Sequence, residues 1–145
     1  MIKAVIKNKK KFEAILKATE KKYTESQKRS VQEAVIALHA RTIKLIRTTS
    51  SGAKQVRYSP KRTVTASSPG NAPNTDTGRL IQSIKFDFRK QGLEGRVGSN
   101  LKYAKHLEFG TKKMAPRPFL STAIALEKSN MKKIFQKNMK KATSK

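Results

Sequence analysis

The stretch Tyr103-Ala104-Lys105-His106-Leu107-Glu108-Phe109-Gly110-Thr111, followed by Met114-Ala115-Pro116-Arg117-Pro118-Phe119-Leu120, decides how this chain is read. Tyr103 and Leu107 stand four residues apart and share a face of a short helix over about 101–109. Gly110 falls where a helix stops in a left-handed residue. Pro116 and Pro118 hold the next segment extended, and Pro118 suits the first turn of a further helix, placed at 118–142. In that helix Leu120, Ile124, Met131, Phe135 and Met139 form an apolar stripe, with Ala123 and Ile134 alongside. The stretch thus reads as a joint between two helices. It has an acid, Glu108, but no base, nucleophile or metal ligand beside it.

Working backwards, Ser99-Asn100 is placed to cap the short helix. Ile84, Phe86 and Phe88 alternate with Lys85, Asp87 and Arg89, Gln91-Gly92 supplies a turn, and a second strand runs from Leu93 to Ser99. This predicts a β-hairpin over 84–99. Asp76 or Thr77 is placed to cap a helical turn carrying Leu80 and Ile84. Residues 50–76 read as an extended basic loop bearing Lys54, Arg57, Lys61 and Arg62, with Gln55–Tyr58 and Thr63–Ala66 as candidate short strands around Pro60-Lys61. A connection this long is a functional loop or a hairpin. Residues 1–49 form a long helical region, because no glycine or proline lies between Met1 and Ser51. Val31, Val35, Leu38 and Leu45 recur at helical spacing, widened by Ile36, Ile43 and Ile46, whereas Phe12, Ile15, Leu16 and Tyr23 are the anchors of a thinner first half. The helix either breaks near Thr24-Glu25-Ser26 or continues in one piece. A single helix would outreach a small domain, so its first half would project and pack on something else.

The chain has 145 residues, 36% of them apolar, which fits one domain with a small core that needs a partner. There is no cysteine, hence no disulfide and no thiolate metal site. No run is apolar enough to span a membrane, and Met1–Lys7 is too short for a secretory signal. With 34 basic and 9 acidic residues, the formal charge is +25. That balance suits contact with a polyanion or a heavily solvated surface. Only residues 111–145, with ten basic residues and one acidic, are nearly pure in sign. His39 and His106 lack ligand-spaced companions, the serines lack a base and an orienter, and no phosphate-binding glycine loop is present. No catalytic set, metal site or cofactor is therefore expected. The aromatics fall at stripe positions, so any DNA contact is electrostatic and sequence-blind. From residue chemistry alone the chain is a basic α+β binding or assembly module, and a sequence-nonspecific nucleic-acid-binding protein is one reading of it.

Asp76-Thr77-Gly78-Arg79-Leu80 with Ser83-Ile84, then Val97-Gly98, Tyr103-Ala104, Glu108-Phe109-Gly110-Thr111, Pro116, and Pro118-Phe119-Leu120 with Ala123, closely resembles the tail-completion, or neck, family of long-tailed bacteriophages. Ser67–Pro73 resembles the proline-glycine lead-in of that family. The likeness spans about residues 67–126, with 77–126 as the family core. It departs at Arg117, which stands between two prolines. The resemblance implies a non-enzymatic virion protein, assembled in the host cytoplasm. It implies a homo-oligomeric ring of six or twelve copies at the head–tail junction. Its neighbours would be head connector or adaptor proteins and the tail terminator or tail tube, with packaged DNA in its lumen. The fold so implied is α+β: a long N-terminal helix, a small antiparallel sheet with a central hairpin, and a short helix and a C-terminal helix packed on it. The motif residues Thr77, Gly78, Arg79, Leu80, Ser83, Tyr103, Ala104, Glu108, Phe109, Gly110, Thr111, Pro116, Pro118 and Phe119 are then candidate assembly residues. Lys54, Arg57, Lys61 and Arg62 are candidate DNA-facing cations. On this reading Tyr103 and Leu107 pin the short helix onto Phe86 and Phe88, and Glu108 meets a basic partner such as Arg79 or Arg117 of the same or a neighbouring subunit, the alternative being a solvated surface acid.

Overall fold

One unbroken helix, α1 (Lys9–Arg47), is the spine of the molecule. It is followed by β1 (Lys54–Tyr58), β2 (Lys61–Thr65), α2 (Arg79–Ser83), β3 (Ile84–Arg89), β4 (Glu94–Ser99), α3 (Lys102–Phe109) and α4 (Leu120–Thr143). The computed structural model describes residues 8–48 and 50–144; the readings made of Met1–Lys7 and of the final lysine lie outside it. Thr24 and Ser26 do not start a second helix. The Thr24 hydroxyl donates to the Glu20 carbonyl (2.9 Å), and that of Ser26 donates to the Asn138 carbonyl of α4 (2.6 Å). With no glycine or proline to interrupt it, α1 extends about 58 Å at 1.5 Å per residue.

The strands form two separate antiparallel hairpins rather than one sheet. In the second, Phe86 pairs with Val97 and Phe88 with Gly95. This hairpin lies against α1. The His39 ring meets the Phe86 edge-on with centroids 5.0 Å apart, and His39 Nε2 is 3.2 Å from the Ile84 carbonyl oxygen. Gly95 permits the close approach, since a Cβ there would collide with Val35 Cγ2 and crowd Val31 Cγ1. Phe86 and Phe88 therefore face α1 and not Tyr103 and Leu107, contrary to the sequence-based expectation.

Helix α4 packs antiparallel on α1 through small and polar side chains. Ser30 and Thr42 on α1 and Ala123 on α4 are fully buried. Arg41 Nε donates to Glu127 Oε1 (2.6 Å), Asn130 Nδ2 to Glu127 Oε2 (2.7 Å), and Asn138 Nδ2 to Glu33 Oε2 (3.2 Å). Of the expected stripe, Ala123 is buried and Leu120, Met131, Ile134 and Met139 are half-buried, whereas Ile124 and Phe135 are exposed, as is Ile36 of α1. The compact apolar core lies at the other end of α1, where Ile46, Leu80, Ile84, Ala104 and Phe119 meet.

Two parts lie outside this body. Every residue from Asn8 to Tyr23 is exposed, including Phe12, Ile15 and Leu16 at about half their full accessibility. That leaves some 20 Å of helix projecting with a bare apolar stripe. The β1–β2 hairpin forms an exposed arm within the expected basic loop.

Candidate functional site

The joint between α3 and α4 is built around Glu108. α3 ends at Gly110, whose φ of 75° and ψ of −177° lie in a region open essentially to glycine alone. The chain then makes a tight reversal in which Thr111 and Met114 exchange both backbone hydrogen bonds (2.8 and 3.2 Å). The Pro116–Pro118 link returns along α3, with Arg117 N donating to the Leu107 carbonyl (2.7 Å), and the Pro116 carbonyl accepts from Gly70 N (2.9 Å). The lead-in and the proline link are thereby tied together.

This path brings the start of α4 over Glu108. The carboxylate accepts from the backbone N–H groups of Phe119 (2.8 Å), Leu120 (3.0 Å) and Ser121 (2.8 Å), and from the Ser121 hydroxyl (2.6 Å). α4 has no side-chain cap of its own. Glu108 supplies one from the preceding helix, satisfying amides that would otherwise be orphans and placing a negative charge at the positive end of the helix dipole. Within the chain Glu108 meets neither Arg79 nor Arg117, contrary to one form of the expectation, and at 8% exposure it is not a solvated surface acid. Helix α4 begins at Leu120, two residues after the expected Pro118, with Phe119 as its fully buried N-cap residue.

The other motif residues divide between core, cleft and surface. Leu80, Ala104 and Phe119 are core. The Ser83 hydroxyl donates to the Leu80 carbonyl (2.6 Å) and lies 2.7 Å from that of Ser99, tying α2 to β4. Ser99 also accepts from Leu101 N (3.2 Å), but it is not the N-cap residue of α3, which is Leu101. Thr77, Gly78, Arg79, Tyr103 and Arg117 line a cleft between α2, α3 and the base of the arm. Phe109 and Thr111 are exposed. Asp76 does not cap α2, whose N-cap residue is the left-handed Gly78. It pairs instead with Arg62 (2.5 Å) and Arg57 (3.5 Å) of the arm. Because side chains alternate along a strand, Arg57 and Arg62 share one face of the arm while Lys54, Tyr58 and Lys61 share the other. The four candidate cations are therefore two salt-bridged arginines and two lysines on the opposite face.

Sequence reasoning missed the Arg41–Glu127–Asn130 cluster, because nothing local marks residues 86 positions apart as partners. Hydrogen bonding from Asn130 outweighs burial at Glu127 and, with Arg41, holds its carboxyl below the ordinary value of 4.5. At Glu108 burial pushes the carboxyl upward, and the hydrogen bonds from Ser121, Phe119 and Leu120 more than reverse this. Both folded values are depressed, so both groups stabilise the fold above the ordinary carboxyl range, and the contribution is lost as pH falls through the lowered folded values. The melting temperature is expected to drop on acidification below about pH 4.5, and Glu127→Gln should flatten that drop in a melting series from pH 7 to 3. Among the described residues no group of three or more His, Cys, Asp or Glu side chains is arranged to hold a metal ion, and no helix is long and apolar enough to cross a membrane.

Residues 3–110 match the sequence model of a family described as "Bacteriophage HK97-gp10, putative tail-component". No curated protein and no solved structure matches the chain.

Proposed function

The chain belongs to the HK97-gp10-like family of bacteriophage tail components, and from that premise we propose that it is a ring-forming structural subunit at the head–tail junction, not an enzyme. The observation that carries this reading is the projecting end of α1. Phe12, Ile15 and Leu16 lie on about one face of that end, where every described residue from Asn8 to Tyr23 is exposed. A surface of this kind gains stability only by being covered, and a repeating subunit covers it by lying on its neighbour. The +25 charge suits a ring through which DNA passes, and the Lys54–Tyr58–Lys61 face of the arm is the surface offered to the lumen.

Particle assembly tests the proposal. Phe12→Ser, Ile15→Ser and Leu16→Ser combined should leave the melting temperature of the isolated chain unchanged, because these side chains are already exposed. The same variant should fail to join heads to tails in a complementation assay. Normal joining by a well-folded triple variant would remove the reading. The outward lysines also favour sequence-nonspecific DNA binding as a second reading. In that case Lys54→Gln with Lys61→Gln should reduce the slope of log affinity against log salt by about 1.8 on duplex DNA.

A further inference from the structure

The geometry points to the cleft between α2, α3 and the base of the arm as a docking site for an acidic residue, flanked by apolar ones, on a different virion protein. The cleft holds about 420 Å³, and its lining includes Leu80 and Tyr103 together with Arg57, Ser67, Arg79 and Arg117. Its one acid, Asp76, is engaged by Arg57 and Arg62. Arg79 and Arg117 have no carboxylate partner among the described residues, and Arg117 is half-buried with its Nε lacking any hydrogen-bond acceptor. The hydroxyl of Ser67, 3% exposed, likewise has no partner. A half-buried guanidinium without a counter-charge is costly, and a carboxylate fits its planar fork in a bidentate pair.

The charge balance decides which molecule brings that carboxylate. The chain has nine acidic residues. Glu13, Glu25, Glu33, Asp76, Asp87, Glu94 and Glu127 are salt-bridged, and Glu108 is held by the start of α4. Glu20 alone has no partner among the described residues, and it sits among Lys17, Lys21 and Lys22. With eight of its nine acids already engaged, a second copy fits the cleft less well than a partner that carries unengaged carboxylates. The apolar part of the lining, with Val64, Leu80 and Tyr103, suits a peptide more than a phosphodiester backbone, whose flanking groups are themselves charged. The inference rests on the junction reading only in assigning the partner to the virion.

The test is fluorescence anisotropy with labelled hexapeptides carrying one Asp or Glu between Leu, Phe or Val residues, at about 150 mM salt, where unspecific surface attraction is largely screened. Acidic peptides should bind at least ~10-fold more tightly than their Asn or Gln counterparts, and Arg117→Gln and Arg79→Gln should each cost about 10-fold in affinity. Lys61→Gln removes an equal charge from the far face of the arm and should change affinity by less than about twofold. Arg79 is exposed, so its variant decides the matter should Arg117→Gln lower the melting temperature. Equal binding of the amide peptides, an equal loss from Lys61→Gln, no peptide bound at millimolar concentration, or equal displacement by a thymidine oligonucleotide would each overturn the inference. None of these results bears on whether the chain forms a ring.

Discussion

Glu108→Ala is expected to destabilise the protein by about 3 kcal/mol, a fall of about 10 °C in melting temperature for a chain of this size. The substitution strips three backbone amides and one hydroxyl at the start of α4 of their common acceptor. Phe119 is fully buried, so water does not readily replace the lost carboxylate there. It also removes the negative charge at the N-terminus of the helix. Glu108→Gln keeps one acceptor oxygen and should lose roughly half as much. Thermal melts followed by circular dichroism check both. An unchanged melting temperature in Glu108→Ala would mean that α4 is held by its contact with α1 alone.

Gly110→Val should cost about 3–5 kcal/mol, the largest effect of any single substitution considered, through two separate causes. The backbone at φ 75° and ψ −177° is not one a β-branched residue adopts. A Cβ would also stand 2.8 Å from the Met114 carbonyl oxygen and 3.0 Å from Pro116 N. Gly70 separates the two causes: its φ is also positive, at 82°, but nothing lies within 4 Å of a Cβ built there. Gly70→Val should therefore show backbone strain alone, about 1–2 kcal/mol, in the same denaturant titration. Because α4 rests on Glu108 only when the chain turns back at Gly110, Gly110→Val and Glu108→Ala should be less than additive when combined.

Elements whose signals are local were legible in the sequence. The lack of glycine and proline before Ser51 marks α1. The alternation around Phe86 marks the second hairpin, and Gly110 marks the end of α3. What the sequence hid was how elements meet. Along α1 and α4 the buried residues include Ser30, Thr42 and Glu127 as well as Ala123, while Ile124 and Phe135 of the expected apolar stripe stay exposed. Glu108 was legible as an acid set apart from any catalytic companion, but its acceptor role depends on backbone amides eleven to thirteen residues on, which no side-chain pattern announces. Charge complementarity points to arginine partners, whereas the helix N-terminus supplies the positive end. The projecting half of α1 follows from length, since a single helix outreaches a small domain, but the sequence left open a break near Thr24-Glu25-Ser26.

That projecting half makes the central claim testable by one measurement, the native mass of the purified protein set beside that of the Phe12, Ile15 and Leu16 triple serine variant. The subunit mass is 16.3 kDa. A closed ring of six or twelve copies that collapses to monomer in the variant is the predicted result. A wild-type protein that remains monomeric at every concentration, or a variant that assembles as well as the parent, would contradict it.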